Sequence, residues 1–395
     1  MITTFYPPYN FGGDGIYVQR LSNELATRGH HVTIIHSMDA YRLRVRQVPR
    51  STYNEHPNIT VVGLASPSKY LATLVTQQTG VPFAYASRIK QILQEGFDVI
   101  NYHNVSLVGG ADVLTYGHGI KLYTLHEYWL VCQTHVLFRN NQQACSEPHC
   151  VQCSLAYHRP PQWWRYGSRL RRAVQHIDAF IAPSKFCRDI HRQRGLNAPL
   201  VDMPFFLPDA PLAWLDSNPA PYFLFVGRLE KLKGLQTLIP IFRNNTRARL
   251  LIAGTGAMEN QLRQLAEHSP NIEFLGRMTG AELQTYYRNA IALILPSLCY
   301  ESFPTVMLEA FQQQTPVIAR NLGAMPQVIA ESGGGLVYNT DAELTHAIDL
   351  LVDNIGYRQT LGMQGYAAYK NNWTAEIHLE RYLALIEKIA MKRAS

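Results

Sequence analysis

The sequence lacks several features that would settle its class at once. No apolar stretch approaches the length of a membrane-spanning helix. The longest, such as 290–298, run about nine residues, where a span needs about 20. Only 16% of the residues are charged and 47% are hydrophobic, a balance that excludes a disordered chain. Six cysteines in 395 residues are too few for a disulfide-built scaffold. The opening MITTFYPP carries no basic stretch ahead of an apolar one, so it does not read as a signal peptide. A cytoplasmic setting with reduced thiols is the expectation. There is no internal repeat and no low-complexity tract.

What is present begins with size. A chain of 395 residues suits two domains of about 150–200 residues each. The net charge is +7 and it is one-sided. Residues 1–210 hold 20 Lys and Arg against 13 Asp and Glu, while 211–395 hold 16 of each. Such a field suggests an anionic partner for the first half: nucleic acid, a phosphorylated substrate or a membrane surface. Six of the 22 prolines fall within 199–221, where fixed φ and missing donors favour a linker.

Both halves alternate short apolar runs with helical periods. Residues 1–5, 32–36, 98–102, 122–125 and 179–182 read as strands in the first half. Residues 16–28 read as a helix ended by Gly29. In the second half the strand-like runs are 222–226, 249–253, 272–275, 292–295 and 317–319. The alternation predicts an α/β protein of two doubly wound, Rossmann-like domains with a cleft between them. The expected division is 1–205, with a cysteine-rich insert at about 130–160; a linker at 206–221; a second domain at 222–372; and a helix within 373–395 packing across the interface through 379, 382, 383, 386 and 389.

Four segments of the second half carry chemistry. In FVGRLEKLKG, 225–234, Gly227 permits a tight turn at a strand end, and Arg228 and Lys233 suit a diphosphate. Two solvated surface cations are the plainer reading of that segment alone. In LIAGTGAMENQL, 251–262, a strand meets Gly254-Thr255-Gly256 and then a helix, a phosphate turn in form. The full G-x-G-x-x-G spacing is missing, which disfavours a dinucleotide. In EFLGRMTGAEL, 273–283, a strand runs into a loop that can read a base through its backbone. In LPSLCYESFPTVMLEAF, 295–311, Pro304 suits the first turn of a helix whose N-terminus is an anion site. Glu301 stands before that helix and Glu309 lies within it, where one carboxylate can face a sugar and the other a vicinal diol.

Together these segments resemble a family-4 retaining glycosyltransferase of the GT-B fold. Glu301 and Glu309, separated by seven residues in ESFPTVMLE, match that family's signature, and GRLEKLKG matches its Arg–Lys pair. TPVIARNLGAMPQVI, 315–329, matches the strand–loop–helix that follows. The resemblance covers nearly the whole chain. It implies transfer of a sugar from a UDP-, GDP- or ADP-linked donor to a sugar, glycan or lipid acceptor. Arg228 and Lys233 would bind the diphosphate, Glu309 the ribose hydroxyls and Glu301 the donor sugar. Backbone groups of Ser302, Phe303, Pro304, Thr305 and Val306 would meet a phosphate or the sugar, with Gly13, Gly227 and Gly254 also at the donor. Arg277 and Met278 would contact the base. No Asp-x-Asp pair is present to bridge a metal to the diphosphate, so no cofactor is expected for catalysis.

FYPPYNFGGDG, 5–15, resembles the same family's first loop, on a shorter first strand than usual; either the start is assigned a few residues late or the strand is short. Gly12 and Gly13 allow close backbone approach, and Asp14 follows as an acceptor contact. His103 and His126 each end a predicted strand. The family places the match of His126 beside the reacting sugar, and His103 is taken with the acceptor. Glu127 stands where that family more often has aspartate.

Cys132, Cys145, Cys150 and Cys153 have the count for tetrahedral zinc, with iron–sulfur, plain thiols or a disulfide as alternatives. The expectation is a structural site, because four protein ligands leave no open position. The segment 158–178 holds Arg159, Arg165, Arg169, Arg171 and Arg172 with Trp163, Trp164 and Tyr166, and no acid before Asp178. It suits an anionic membrane surface, a lipid diphosphate or a polyanionic glycan. A helix with packed tryptophans and solvated arginines is the simpler reading. Arg42, Arg44, Arg46 and Arg50 form a second acid-free cluster. The rivals are a nucleotide-sugar epimerase or phosphorylase of the same architecture, and a non-catalytic nucleic-acid binder. The last leaves the neutral, motif-dense second half unexplained.

Overall fold

The structure is a computed structural model and describes residues 1–45, 55–215, 220–245 and 247–394. Arg46 and Arg50 of the second basic cluster lie outside them. The chain forms two units: Met1–Val136 with His149–Phe205 and His378–Ser395, and Leu137–Pro148 with Phe206–Ile377.

The first unit is built on parallel strands. Ile59–Leu64 pairs with Val32–Ser37, and Val99–Tyr102, Ile120–Thr124, Ala179–Ala182 and Leu200–Asp202 follow in that order. The first residues of the chain join these two groups. Ile2 bridges Ile35 on one side and Tyr102 on the other, both in parallel. The amide of Ile2 donates to Asn101 (2.9 Å) and that of Thr3 to Ile35 (3.0 Å). The short opening run thus lies in the middle of the unit's strands. The loop after it leads into the helix Gly13–Thr27, and Gly29 follows that helix with φ 90°.

The last helix, Ala375–Ala394, belongs to this unit from His378 on. Leu379 and Tyr382 are buried. Tyr17 Oη and His378 Nε2 are 2.9 Å apart, and Asn101 donates to Tyr382 Oη at 3.0 Å. Arg393 pairs with Asp178 at 2.7 Å.

The second unit carries a six-stranded, wholly parallel sheet. Its spatial order is Ile272–Gly276, Arg249–Ala253, Tyr222–Val226, Leu293–Leu295, Val317–Arg320 and Gly335–Tyr338. Central strands bury both faces, so Phe223, Leu250, Ile252, Ile294 and Ile318 form one core with Leu238, Ile239 and Phe242 of the helix Leu235–Arg243. The order reverses beside Tyr222–Val226, whose C-terminal end is where a doubly wound sheet offers a ligand crevice.

Candidate active site

In the second unit the chemistry gathers at the C-terminal strand ends. The loop 227–230 is fixed from beneath by backbone alone. Gly227 donates to Ala253 (3.1 Å) and Leu229 to Thr255 (3.0 Å). A Cβ on Gly254 would sit 1.9 Å from the Gly227 carbonyl oxygen, and one on Gly256 2.4 Å from that of Leu229. These glycines let two loops touch. Arg228, held over the turn, keeps 45% of its side chain exposed and pairs with Glu230 at 2.7 Å.

Lys233 ends the short turn Lys231–Lys233. Gly234 follows with φ 76°, and a Cβ there would meet the Pro296 carbonyl oxygen at 1.9 Å. Leu298 also donates to the Leu232 carbonyl at 2.8 Å. The turn is thereby fixed against the segment after Leu293–Leu295, and Lys233 Nζ donates to Glu301 Oε1 at 2.7 Å. Ser297 Oγ donates to the same oxygen at 2.7 Å. The side chains keep 24% and 15% exposure. Burial acts to raise the Glu301 pKa, but the Lys233 ammonium, its hydrogen bond, Ser297 and Arg228 outweigh it and hold the carboxyl below its usual value. Burial likewise opposes the Lys233 ammonium, and Glu301 more than restores it, so its pKa is raised. Both stay charged. Gly323, with φ 65°, backs this carboxylate: a Cβ would lie 2.7 Å from the Glu301 amide nitrogen.

The helix after Glu301 spans Thr305–Gln312, with Pro304 as its N-cap and not its first residue. Ser302 and Phe303 are buried, whereas Thr305 and Val306 are half-buried. Glu309, in the second turn, is half-buried and accepts from Tyr287 Oη at 3.0 Å. Gly276 turns the chain with φ 74°, leaving Arg277 exposed and Met278 half-buried, before a capping box of Thr279 and Glu282 opens the helix Gly280–Asn289.

In the first unit the two histidines meet. His103 Nδ1 and His126 Nε2 are 2.9 Å apart. The His126 ring lies against Phe205 and, edge-on, against Tyr17, each with centroids 5.0 Å away. Burial lowers His126 to about 3 and, with the neighbouring histidine, lowers His103 far below its usual value. Both rings are neutral. His103 was expected at the acceptor; it is fully buried and has no surface to offer one. Strand-end position puts its backbone near the edge, but its side chain turns inward to His126. Asp14, in the first turn of Gly13–Thr27, accepts from Asn104 (3.2 Å) and from the Gly15 amide (2.9 Å). Gly13 is exposed and a Cβ there would meet nothing. Gly12 caps the helix in extended geometry, without strain. The demanding position is Gly15, where a Cβ would stand 2.5 Å from Asn10 Oδ1.

The four cysteines expected to bind zinc are divided between the units, with Cys132, Cys150 and Cys153 in the first. Among the described residues no group of three or more His, Cys, Asp or Glu is placed to hold a metal ion. Cys132 Sγ lies 3.3 Å from Thr134 Oγ1 instead. Cys145 belongs to the second unit and donates to the Glu147 carbonyl at 3.3 Å. None of the six cysteines is in a disulfide.

Ser297, Tyr287, Gly234 and Gly323 were not singled out from sequence. Tyr287, Gly234 and Gly323 act on residues distant in the chain, Ser297 acts on Glu301 four positions on, and only the glycines carry a local sign.

Comparison with known proteins fits this arrangement. Residues 11–202 match the family model Glycosyltransferase Family 4, and 214–368 match Glycosyl transferases group 1. The two models together span most of the chain, which is a glycosyltransferase with the GT-B fold. It is similar to a D-inositol 3-phosphate glycosyltransferase of Pseudarthrobacter chlorophenolicus, 27% identical over 95% of this chain and 91% of that one. Other glycosyltransferase relatives align over only 37–46% of their own length. In fold it resembles a sucrose-phosphate synthase of Thermosynechococcus elongatus, with TM-score 0.75, 20% identity and coverage of 99% and 98% of the two chains. It also resembles Anabaena Alr3699/HepE, solved in complex with UDP, with TM-score 0.66, 14% identity and coverage of 98% and 99%.

Proposed function

We propose that this glycosyltransferase takes a nucleotide-diphosphate sugar as donor and transfers the sugar to an acceptor hydroxyl with retention of anomeric configuration and without a metal ion. The supporting observation is the Lys233–Glu301 pair beside Arg228 at the strand ends of the second unit. Two fixed cations there match the charge that develops on a departing diphosphate. The Thr305–Gln312 helix N-terminus adds its dipole. Glu301 would receive donor-sugar hydroxyls, and Glu309, oriented by Tyr287, the ribose diol.

In the step itself the bond from the anomeric carbon to the diphosphate oxygen breaks, and the acceptor oxygen bonds on the same face. The acceptor proton passes to the leaving phosphate oxygen. His126, neutral at working pH, would contact the sugar as a hydrogen-bonding group and not as a cation. The basic excess lies in residues 1–210, which favours a phosphorylated or membrane-held acceptor on the cytoplasmic side.

The test is thermal stabilisation and hydrolysis with UDP-, GDP- and ADP-sugars in turn. One donor should stabilise saturably and Glu309→Ala should weaken it. Activity lost to a chelator and restored by Mg²⁺ would overturn the metal-free reading. A glycosyl group trapped on Glu301 would overturn the same-face step.

A further inference from the structure

The helix Lys69–Thr79 in the first unit is inside out. Its buried residues are Ala72, Thr73 and Thr76, and Thr76 Oγ1 finds no hydrogen-bond partner. Its large apolar residues Tyr70, Leu71 and Leu74 are exposed, at 66%, 51% and 49%. A helix shielding a core normally shows the reverse order. The apolar side must therefore meet something other than water to be favourable.

The face continues onto a second segment. Trp164 Nε1 donates to the Gln77 carbonyl at 2.9 Å, and Gln78 donates to the Pro160 carbonyl at 3.3 Å. These bonds fix the turn Trp163–Tyr166 beside the helix end. Trp163 and Tyr166 are largely exposed there, as is Phe83 just beyond Gly80. The segment 158–178 is thus not one helix with its tryptophans inside. Its arginines divide as well. Arg165 lies between the Trp129 and Trp164 rings, 4.9 Å from each centroid, and Arg169 pairs with Asp112 at 2.8 Å. Arg171 and Arg172, on the following helix Arg169–Val174, remain exposed.

We propose that this composite face docks on an anionic lipid bilayer surface. Leu71, Leu74 and Phe83 would enter the boundary between headgroups and acyl chains, and Trp163 and Tyr166 would sit at headgroup level, where amphipathic rings partition. Arg171 and Arg172 would meet lipid phosphates: the segment 148–177 holds no acidic residue, and Asp112, beside the same helix, is paired with Arg169. Charge complementarity selects the bilayer over a neutral protein partner. No helix among the described residues is long and apolar enough to cross a membrane, so the contact is peripheral. The inference rests on this surface alone and does not depend on the donor chemistry.

The test is co-sedimentation of the full chain with vesicles of phosphatidylcholine, alone or mixed with phosphatidylglycerol. Binding is expected to the mixed vesicles only and to weaken as salt is raised. Leu71→Asp with Phe83→Asp should weaken it roughly tenfold or more. Arg171→Ala and Arg172→Ala should each weaken it about fivefold. All variants should keep wild-type nucleoside diphosphate binding, which separates failure here from failure of the donor reading. Equal binding to both vesicle types, binding to neither, or self-association abolished by the same substitutions would each overturn the proposal.

Discussion

His103 Nδ1 lies 2.9 Å from His126 Nε2, and both imidazoles are neutral, so one hydrogen serves the pair. Whichever ring donates fixes the tautomer of the other. His103 is thus a positioning residue that acts through His126. His103→Leu is expected to lower kcat about ten- to a hundredfold with nucleotide affinity unchanged. His103→Gln retains an N–H donor and should recover most of that loss. Equal loss in both variants, with equal fall in Tm, would mean a packing role only.

Lys233 and Glu301 are joined at 2.7 Å in a partly buried site, so removal of either strands the other. Lys233→Ala and Glu301→Gln should each cut kcat/KM by about two to three orders of magnitude. The double variant should cost much less than the product of the two. A double-mutant cycle measures this, and full additivity would refute the coupling.

Tyr287 supplies the hydrogen bond that orients Glu309. Tyr287→Phe should weaken nucleotide binding about fivefold and Glu309→Ala more strongly, both read by calorimetry. Unchanged affinity in both would remove Glu309 from the donor contacts.

Acid should weaken the two units unequally. Burial holds His36, His191 and His378 near 4 and His126 near 3, and with the neighbouring histidine it holds His103 well below the usual imidazole value; all five belong to the first unit. Their folded pKa values lie below the about 6.5 of an unperturbed imidazole. The neutral forms are therefore bound without loss above that pH, and stability falls as pH drops from there toward 3–4. Each titrating histidine contributes a slope of about 1.4 kcal/mol per pH unit. Hydrogen exchange at pH 7 and pH 5 should show loss of protection in the first unit before the second. Equal loss would show that other groups dominate.

Gly234→Ala places a methyl group 1.9 Å from a carbonyl oxygen at a φ of 76°. Backbone strain of about 1–3 kcal/mol is expected, together with displacement of Lys233. A fall in Tm accompanied by a fall in kcat/KM is the expected outcome, and an unaltered kcat/KM would uncouple the turn from the site.

The legible parts of the molecule are those whose cause is local. Buried central strands show as apolar runs, and Glu301 and Glu309 lie close enough in sequence to be read as one motif. Besides the short hairpin strands Phe138–Arg139 and Gln143–Ala144, three strands of the parallel sheets are not legible: Ile59–Leu64, Leu200–Asp202 and Gly335–Tyr338. Each ends its run of paired strands and buries few of its residues, so none makes a clear apolar run. The Lys233–Glu301 pair spans 68 positions and His103–His126 spans 23. Such partners are chosen by the sheet and not by spacing.

The helix from His378 onward has a practical consequence for cutting the chain. Tyr17 and Asn101 near the start hold His378 and Tyr382 near the end. A protease acting in the proline run at 206–221 would cleave a covalent bond without freeing either fragment. The nicked protein should migrate as one species in native gels and as two only after denaturation.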